Sequence, residues 1–396
     1  MRRRANPNIG LALLDHGARL GLCSRFVKDT AAHFKIPGHF AEAASYGGGH
    51  IHDTYLLRFE DSARSARYIL QRINTRVFRD PIALMDNLSR ICSSQRRELE
   101  RERASDPERR HLRLVATTEG RTHWVDPEGG HWRCFHFQEG TRSLDRVETE
   151  QQAHETARGF ACFAARLIRL EGPRLAITIP DFHNLEHRYE ALKDATRRDS
   201  HGRAKSVEVE IDRAAGWHES LQRSRRELGA ESLPIRIVHN DCKINNILLD
   251  AETGEGLCAI DLDTVMDGTV LADFGELVRT SSCRSAEDEA GMDEMAIDLD
   301  LVRGVARGYL AGMGAILTPQ ELNALPLAGP LMAFENAARF LTDHLSGDVY
   351  FRTQREAQNL DRARAQLRRV ELLDAKRDEI RKIIESAQLD LRSAEK

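Results

Sequence analysis

HNDCKINN, residues His239–Asn246, is the stretch that decides which fold this sequence predicts. It follows the apolar run IRIV and precedes ILLD, so two strand candidates, Ile235–His239 and Ile247–Asp250, enclose a polar segment. An acid at a strand end, with an amide five residues further on, is an arrangement used for phosphoryl transfer. There the Asp accepts the proton of the attacking hydroxyl, and the Asn side-chain oxygen binds a magnesium ion. The candidates are Asp241 as the catalytic base and Asn246 as a metal ligand.

A second acidic segment, CAIDLDTVMDG, begins at Cys258. Its strand candidate, Leu257–Leu262, carries Asp261 and Asp263 at its end, twenty residues after Asp241. At a strand end the backbone can turn, so that both carboxylates approach one cation, and Mg²⁺ takes hard oxygen ligands, usually one or two carboxylates with phosphate oxygens. Each piece alone has a plain explanation as an N-cap, a turn or a loop acid. The joint order favours a kinase-like site for ATP and Mg²⁺.

Three consecutive glycines, Gly47, Gly48 and Gly49, lie in SYGGGHIHDTYLL ahead of the strand candidate Ile51–Phe59. Their backbone amides can close over phosphate groups because no side chain intervenes. No GK[ST] follows, so the segment is not a P-loop. An ordinary hairpin turn is the alternative, although the position ahead of a small sheet is typical of the glycine-rich loop of protein kinases.

The composition bounds the class of protein. The 396 residues carry 58 Lys and Arg against 62 Asp and Glu, a net charge of −4, which argues against a dedicated nucleic-acid binder. No apolar run reaches the length of about 18 residues that a membrane span needs, so no membrane partner is expected. The seven cysteines are scattered without a CxxC pair, which is typical of free thiols in a reducing compartment, and a cytoplasmic location is predicted.

The order of strand-like and helical patterns predicts an α+β fold with two lobes. The predicted divisions are an N-terminal arm (1–24), an N-lobe with a small antiparallel sheet (25–138), a larger and mainly helical C-lobe (139–370) and a C-terminal helix (371–396). Further N-lobe strands are expected at Arg67–Ile73, Leu112–Thr117 and Trp132–Phe137, and a helix from Pro81. Beyond Asp298 the pattern is helical, and its end predicts one amphipathic helix, for which core packing and dimerisation both remain open.

Taken together, these segments resemble the aminoglycoside phosphotransferase and choline kinase superfamily, whose members have a protein-kinase-like fold. Within it the sequence is similar to N-acetylhexosamine 1-kinases over roughly residues 40–370. The segments that carry the resemblance are YGGGHIHDTYLL, YILQRINTRVFRDP, TIPDFHNLEHRYEAL, HNDCKINNILLD, IDLDTVMDGTVLADFGELVR, and RFLTDHLSGDVYF with NLDRARAQL. The HND and IDLDTVM segments are shared broadly, and RFLTDHLSGDVYF is the more diagnostic one.

The resemblance implies roles in nucleotide binding and catalysis. Asp241 matches the catalytic base, and Asn246 and Asp261 match the metal ligands, with Asp263 as a supporting ligand. ATP is expected between the lobes, with its adenine near Gln138. Kinase-like folds usually carry a phosphate-binding lysine on the third strand, but the matching stretch ends in Gln-Arg, so Arg72 or its neighbour Gln71 is expected to take that role.

The resemblance also implies an acceptor site. Arg339 and Tyr350, eleven residues apart, match an Arg and a Tyr that contact the hexosamine. A guanidinium can hold sugar hydroxyls, and an aromatic ring can cover a pyranose face; a structural arginine and a core tyrosine are the alternative. His183, in the segment DFHN, is placed near the substrate, with a loop hydrogen bond as its alternative role.

The expected function is therefore transfer of a phosphoryl group from ATP to the anomeric hydroxyl of an N-acetylhexosamine. One alternative is the same fold acting on another sugar, an aminoglycoside or an amino alcohol, and the acidic stretch Glu287–Asp300 would suit a polycation. The other is a non-catalytic, pseudokinase-like binding module, which the missing lysine favours. The expected partners are a nucleotide and a small-molecule sugar, and a monomer is preferred although the oligomeric state stays open.

Overall fold

The structure is a computed structural model, and it describes residues 25–47, 51–62, 64–283 and 295–394. These residues form two compact units. Unit 1 comprises the chain up to Met85 together with Arg113–Phe137, and unit 2 comprises Asp86–Leu112 and the chain from Gln138 onward. The first is based on a small antiparallel sheet and the second is mainly helical, which confirms the predicted α+β class. The predicted arm (1–24) lies outside the described residues.

Unit 1 is built on a five-stranded antiparallel sheet in the order β1–β2–β3–β5–β4. Its elements are a short helix α1 (residues 25–31) and the strands β1 (His39–Ser45), β2 (Asp53–Glu60), β3 (Ser65–Arg72), β4 (Trp124–Val125) and β5 (His131–His136). β2 and β3 pair from Asp53 opposite Arg72 to Glu60 opposite Ser65, which confirms the predicted hairpin. One face of the sheet is buried, and its core includes the side chains Leu57, Leu70 and Trp132.

The strand expected at Leu112–Thr117 does not form as a continuous ladder. Val115 donates its N–H to the Cys134 carbonyl at 2.8 Å, whereas the Ala116 carbonyl accepts from Lys35 N at 2.9 Å. The segment thus divides its hydrogen bonds between β5 and the chain that follows α1, and only isolated β-bridges result. A residue pattern shows that a segment suits a sheet, but not that two partners will share it.

Unit 2 places two small β-ladders among its helices. Its strands are β6 (Thr141–Arg142), β7 (Arg236–Val238), β8 (Ile247–Asp250), β9 (Gly256–Ala259) and β10 (Met266–Gly268), paired as β6–β8–β9 and β10–β7. Its helices are most of α2 (Pro81–Arg101), then α3 (Glu150–Leu167), α4 (Leu185–Arg198), α5 (Glu208–Glu227), α6 (Val270–Ser281), α7 (Leu299–Met313), α8 (Pro319–Leu345), α9 (Gln358–Ala375) and α10 (Arg377–Ala394). The three strands predicted around the HND and IDLD motifs are confirmed as β7, β8 and β9.

The C-terminal pattern folds as two helices, α9 and α10, instead of the single helix predicted. Lys376 separates them, with φ −101° and ψ 10°, and its N–H bonds to the Leu373 carbonyl three residues back, a tighter turn than that of an α-helix. Leu373, Ile380 and Ile384 are buried. Because α10 packs on α7 and α8, the apolar stripe is used within the chain.

Candidate catalytic site

Two polar segments of unit 2 are tied together at the ends of their strands. We name them the HND segment (239–246), between β7 and β8, and the IDLD segment (260–264), after β9. Ile260 donates its N–H to the Asn246 carbonyl at 2.9 Å, next to the β8–β9 ladder. The His239 ring bridges the segments, because Nε2 donates to the Ile260 carbonyl at 3.0 Å and Nδ1 accepts the N–H of Asp241 at 3.3 Å. The two segments therefore hold each other in place.

Asp241, the predicted base, has its carboxylate beside two donors. Its Oδ2 accepts from Asn246 Nδ2 at 3.0 Å and lies 2.9 Å from Lys243 Nζ. Burial would raise the pKa of Asp241, but Lys243, His239 and Arg339 together outweigh burial, and the net pKa lies below the usual value. The pKa of Lys243 is raised in turn, chiefly by Asp241. Asp241 is therefore an anion at neutral pH, and its Oδ1 remains the oxygen for a hydroxyl that approaches from outside.

Asn246, Asp261 and Asp263 supply oxygen donors of the kind that Mg²⁺ prefers. Asp261 has φ 59° and ψ 53°, a left-handed conformation that turns the chain out of β9 into a short 3₁₀ turn, Leu262–Thr264. This turn brings a carboxylate oxygen of Asp261 within 4.8 Å of one of Asp263, which a straight strand would direct to opposite faces. Asn246 uses its Nδ2 on Asp241, so its amide oxygen is left for a cation. The donor set fits Mg²⁺.

Asp273, which was not predicted from the sequence, anchors the HND segment. It lies on α6 with 1% of its surface exposed. Its two oxygens accept the N–H of His239 at 3.0 Å and the N–H of Asn240 at 2.8 Å. Asn240 has φ 64°, and its side-chain amide donates to the Thr264 carbonyl at 2.9 Å. The signal available in the sequence was an acid within the apolar run VLADFGELV, because a buried charge requires partners.

Arg339, predicted to contact the acceptor, lies on α8 with its guanidinium over two aromatic rings. Its guanidinium carbon is 5.8 Å from the centre of the Phe182 ring and 5.3 Å from that of Phe351. Arg339 is also close enough to Asp241 to help lower the pKa of that carboxyl, after the larger effects of burial, Lys243 and His239. The structure thus brings the predicted acceptor arginine near the predicted base.

Tyr350, the second predicted acceptor residue, follows α8 with 62% of its surface exposed. Its ring meets Phe351 edge-on, with 4.8 Å between the ring centres. The Asp343 carboxylate accepts the backbone N–H groups of residues 349, 350 and 351 at 2.8–3.0 Å. Asp343 therefore shapes the segment that presents the Tyr350 ring, a role that no sequence pattern indicated.

His183, the third predicted acceptor residue, is engaged by the protein itself. Its Nδ1 lies 2.8 Å from Glu335 Oε2 and its Nε2 lies 2.7 Å from the Asn240 carbonyl. Glu335 is 2% exposed and also faces Arg188, whose Nε is 3.8 Å from Glu335 Oε1. Burial has the largest effect on the pKa of Arg188 and lowers it. The positive charge of Arg339 lowers this pKa further, so the two guanidinium groups are close. Glu335 and Arg188 were not singled out from the sequence, because α4 and α8 meet only in the folded chain.

The residues predicted to bind the nucleotide differ in their local environments. Gly47 follows β1 with φ 78°, whereas Gly48 and Gly49 lie outside the described residues. The Arg72 guanidinium is 5.8 Å from the centre of the Trp132 ring. Gln138 is buried, and its Nε2 donates to the His111 carbonyl at 2.5 Å. Their roles toward a nucleotide stay predictions.

The described helices include none with the length and apolar character required to cross a lipid bilayer. A family model described as the phosphotransferase enzyme family matches residues 42–316, more than half of the chain. Among solved structures, the chain is similar to an aminoglycoside phosphotransferase from Alicyclobacillus acidocaldarius subsp. acidocaldarius DSM 446, with a TM-score of 0.61 and 13% identity, over 96% of this chain and 99% of that one.

Two further solved structures share the fold. One is spectinomycin phosphotransferase in complex with ADP and spectinomycin, with a TM-score of 0.53 and 13% identity, over 89% of this chain and 97% of that one. The other is a choline kinase from Cryptosporidium parvum Iowa II, with a TM-score of 0.51 and 14% identity, over 96% of this chain and 99% of that one. At these identities the similarity shows a common architecture.

Proposed function

Because the chain belongs to the phosphotransferase enzyme family, we propose that it transfers the γ-phosphoryl group of ATP to the anomeric hydroxyl of an N-acetylhexosamine, giving the sugar 1-phosphate. Phosphoryl transfer to a small acceptor follows from the family and the fold. The choice of a sugar rests on one observation, the position of Arg339 over the rings of Phe182 and Phe351 and within electrostatic reach of Asp241.

In this proposal Asp241 receives the proton of the sugar hydroxyl on Oδ1, while Lys243 and Asn246 hold Oδ2 in place. The lowered pKa of Asp241 makes it a weak base, so it orients the hydroxyl in the ground state and takes the proton late, as bond formation to phosphorus makes that proton acidic. Asn246, Asp261 and Asp263 would hold Mg²⁺, which neutralises phosphate charge when bound. Positioning and electrostatics therefore supply most of the rate enhancement.

The charges near Arg339 favour an acceptor without a positive charge. The buried Glu335 carboxylate faces three cationic side chains, those of His183, Arg188 and Arg339. The exposed Asp181 lies near Arg188 and Asp241 lies near Arg339, whereas Glu276, near His183, is paired with Arg279. A cation placed beside both Arg188 and Arg339 would be close to two like charges. Two like charges at about 6 Å repel by about 1–3 kcal/mol in the dielectric of a protein surface. An aminoglycoside or an amino alcohol would meet that repulsion, whereas a neutral sugar would not.

The aromatic groups suit a pyranose ring. Tyr350 exposes its ring beside Phe351, and an aromatic face covers the apolar C–H face of a sugar. Arg339 offers N–H donors to hydroxyl or acetamido oxygens, and the described residues give its guanidinium ring contacts rather than hydrogen bonds. The donors therefore remain available to a ligand.

The experiment incubates the protein with γ-³²P-labelled ATP, Mg²⁺ and single acceptors, and identifies each product by ³¹P NMR. N-acetylglucosamine or N-acetylgalactosamine should give the α- or β-1-phosphate. The methyl glycoside of either sugar, which lacks the free anomeric hydroxyl, should give no product. Choline and spectinomycin serve as cationic acceptors, and preferential transfer to either would refute the sugar assignment. If the protein binds the nucleotide but transfers no phosphoryl group to any acceptor, the assignment as an enzyme is refuted.

The base assignment is tested by Asp241→Asn. The amide keeps the shape of the side chain but cannot take a proton, so we expect kcat to fall by about 10²–10⁴-fold. Affinity for Mg-ADP, measured by calorimetry, should change little because Asn246, Asp261 and Asp263 are intact. Asp390→Asn, on the exposed face of α10, is the matched control for loss of one carboxylate. A fully active Asp241→Asn enzyme would show that another group receives the proton.

A further inference from the structure

The His183 ring lies between two groups that can only accept hydrogen bonds. Its Nδ1 is 2.8 Å from Glu335 Oε2, and its Nε2 is 2.7 Å from the Asn240 carbonyl oxygen. Neutral imidazole carries one N–H, so it can serve only one of these acceptors. Both contacts are satisfied together only when the ring carries two protons and one positive charge.

The surroundings of His183 stabilise that charge. Burial lowers the pKa of the ring, but Glu335 on α8, the Asn240 carbonyl and Glu276 on α6 together outweigh burial, and the net pKa is raised. Glu276 is itself paired with Arg279 on the same helix, with a distance of 2.8 Å from Arg279 Nε to Glu276 Oε2. On α4, Arg188 faces the same Glu335. Glu335 is thus the carboxylate to which the imidazolium is bound.

The second hydrogen bond of His183 joins it to the HND segment. The Asn240 carbonyl belongs to the peptide group that continues into Asp241, and a peptide group is planar. On the other side of that group, the N–H of Asp241 donates to His239 Nδ1 at 3.3 Å. The peptide between Asn240 and Asp241 is therefore held by two histidine rings, one that donates to its oxygen and one that accepts from its nitrogen. Rotation of this peptide would redirect the Asp241 carboxylate.

We propose that His183, as an imidazolium, is a positioning residue that holds the Asn240–Asp241 peptide and thereby directs the Asp241 carboxylate toward the acceptor. The consequence for turnover rests on the proposed kinase function, whereas the protonation of the ring does not. When the ring loses its second proton, one of its two hydrogen bonds is lost. Because the raised pKa keeps the ring protonated to higher pH than a free histidine, the arrangement is intact below that pKa and fails as pH rises through it.

Protons have a route to this ring. His183, Asn240 and Glu335 line a cavity of about 490 Å³, a volume that admits many water molecules. The cavity is formed by unit 2 alone, from the chain before α4, the β10–α6 connection and α8. His183 can therefore exchange its proton without unfolding of the helices around it.

Glu335→Gln is the variant that separates positioning from general stability. A glutamine amide can donate to Nδ1, so a neutral ring would then keep its Nε2 proton on the Asn240 carbonyl. We expect the ratio of kcat at pH 9 to kcat at pH 7 to be at least about fivefold higher in Glu335→Gln than in the natural protein. His183→Ala should lose kcat at all pH values with little change in the KM for ATP. His187→Gln, four residues further on in the first turn of α4 and exposed, is the matched control.

NMR tests the arrangement without any acceptor. With ¹⁵N-labelled histidine, His183, identified as the resonance missing from His183→Ala, should show an imidazolium signature at pH 7.5. With ¹⁵N-labelled aspartate, the Asp241 amide resonance should shift with the same midpoint, and this shift should be absent in Glu335→Gln. A neutral His183 ring at pH 7 would overturn the proposal. The proposal would also be overturned if the Asp241 amide resonance shifted with pH in the same way in the natural protein and in Glu335→Gln. An equal ratio of kcat at pH 9 to kcat at pH 7 in the two proteins would overturn it as well.

Discussion

Substitution of Asp343 by asparagine should release the segment that presents Tyr350. The Asp343 carboxylate is 4% exposed and accepts four hydrogen bonds, two on each oxygen. Oδ1 accepts the N–H groups of Val349 and Tyr350, and Oδ2 accepts the N–H of Phe351 and the Nδ2 of Asn359, all at 2.8–3.0 Å. Val349 is 79% exposed and Tyr350 is 62% exposed, so the side chains of these two residues add little to the packing of the segment. At Val349 and Tyr350 the carboxylate is therefore the principal restraint on the backbone.

The magnitude follows from the geometry. Asparagine replaces one acceptor oxygen by an NH₂ group, which then faces two donors, so two of the four hydrogen bonds are lost. A hydrogen bond to a charged group contributes about 1.5–3 kcal/mol, so the loss is about 3–6 kcal/mol, and the buried site offers no water to replace it. Part of this free energy appears as local opening of the segment and the rest as lower stability of unit 2.

Two assays measure the local opening of the segment and the loss of global stability separately. Urea unfolding followed by circular dichroism measures the global free energy, and trypsin cleavage at Arg352, within the released segment, measures local opening. We expect a lower urea midpoint, faster cleavage and a higher KM for the acceptor, with kcat less affected. Asp390→Asn, which removes an exposed carboxylate from the same unit, should match the natural protein in each assay. If Asp343→Asn also matched it in urea midpoint and cleavage rate, the carboxylate would not be the restraint inferred here.

Substitutions at three further positions test separate parts of unit 2. Arg339→Met should raise the acceptor KM by about tenfold or more. Arg339→Lys should not restore it, since an ammonium lacks the planar fork of N–H donors that a guanidinium offers. An unaltered KM would remove Arg339 from the acceptor site. Lys243→Met should lower kcat by up to about 10²-fold, because Asp241 loses its orienting cation, and single-turnover rates without such a loss would contradict that role. Glu321→Gln should lower the free energy of unfolding by about 3–5 kcal/mol. The reason is that the buried Glu321 pairs with Arg236 through both carboxylate oxygens, at 2.6 and 2.8 Å. If calorimetry gave the variant the same unfolding temperature as the natural protein, the pair would be dispensable.

The predictions that held concern features that are local in the chain. β8 has the bounds predicted for it, because an apolar run between polar turns carries its own signal. The segment 112–117 had a similar signal but divides its hydrogen bonds between two partners. The terminal pattern predicted one helix, but the turn at Lys376 divides it into α9 and α10, which pack against different parts of unit 2. Periodicity identifies an apolar face but not the neighbour that covers it.

The candidate site divides in the same way. Asp241, Asn246, Asp261 and Asp263 were found because the base and metal candidates lie within one strand–loop–strand stretch. Asp273, Arg188 and Glu335 were missed because each acts on a partner from a distant part of the chain. His183 was singled out from its motif as an acceptor residue, but its partners could not be named, since Glu335 lies 152 residues further along the chain.

The sequence by itself determined the α+β class, the strands around the HND and IDLD segments and the side chains that suit phosphoryl transfer. Backbone propensity and short spacing produce those features, and both are local. The tertiary structure alone decided the charge around the proposed acceptor site, where α4 and the residues before it meet α8, so that His183 and Arg188 face Glu335 with Arg339 nearby. It also decided that the peptide before Asp241 is held by two histidine rings. Electrostatic interactions and hydrogen bonds depend on distance in space, and packing of the helices sets that distance.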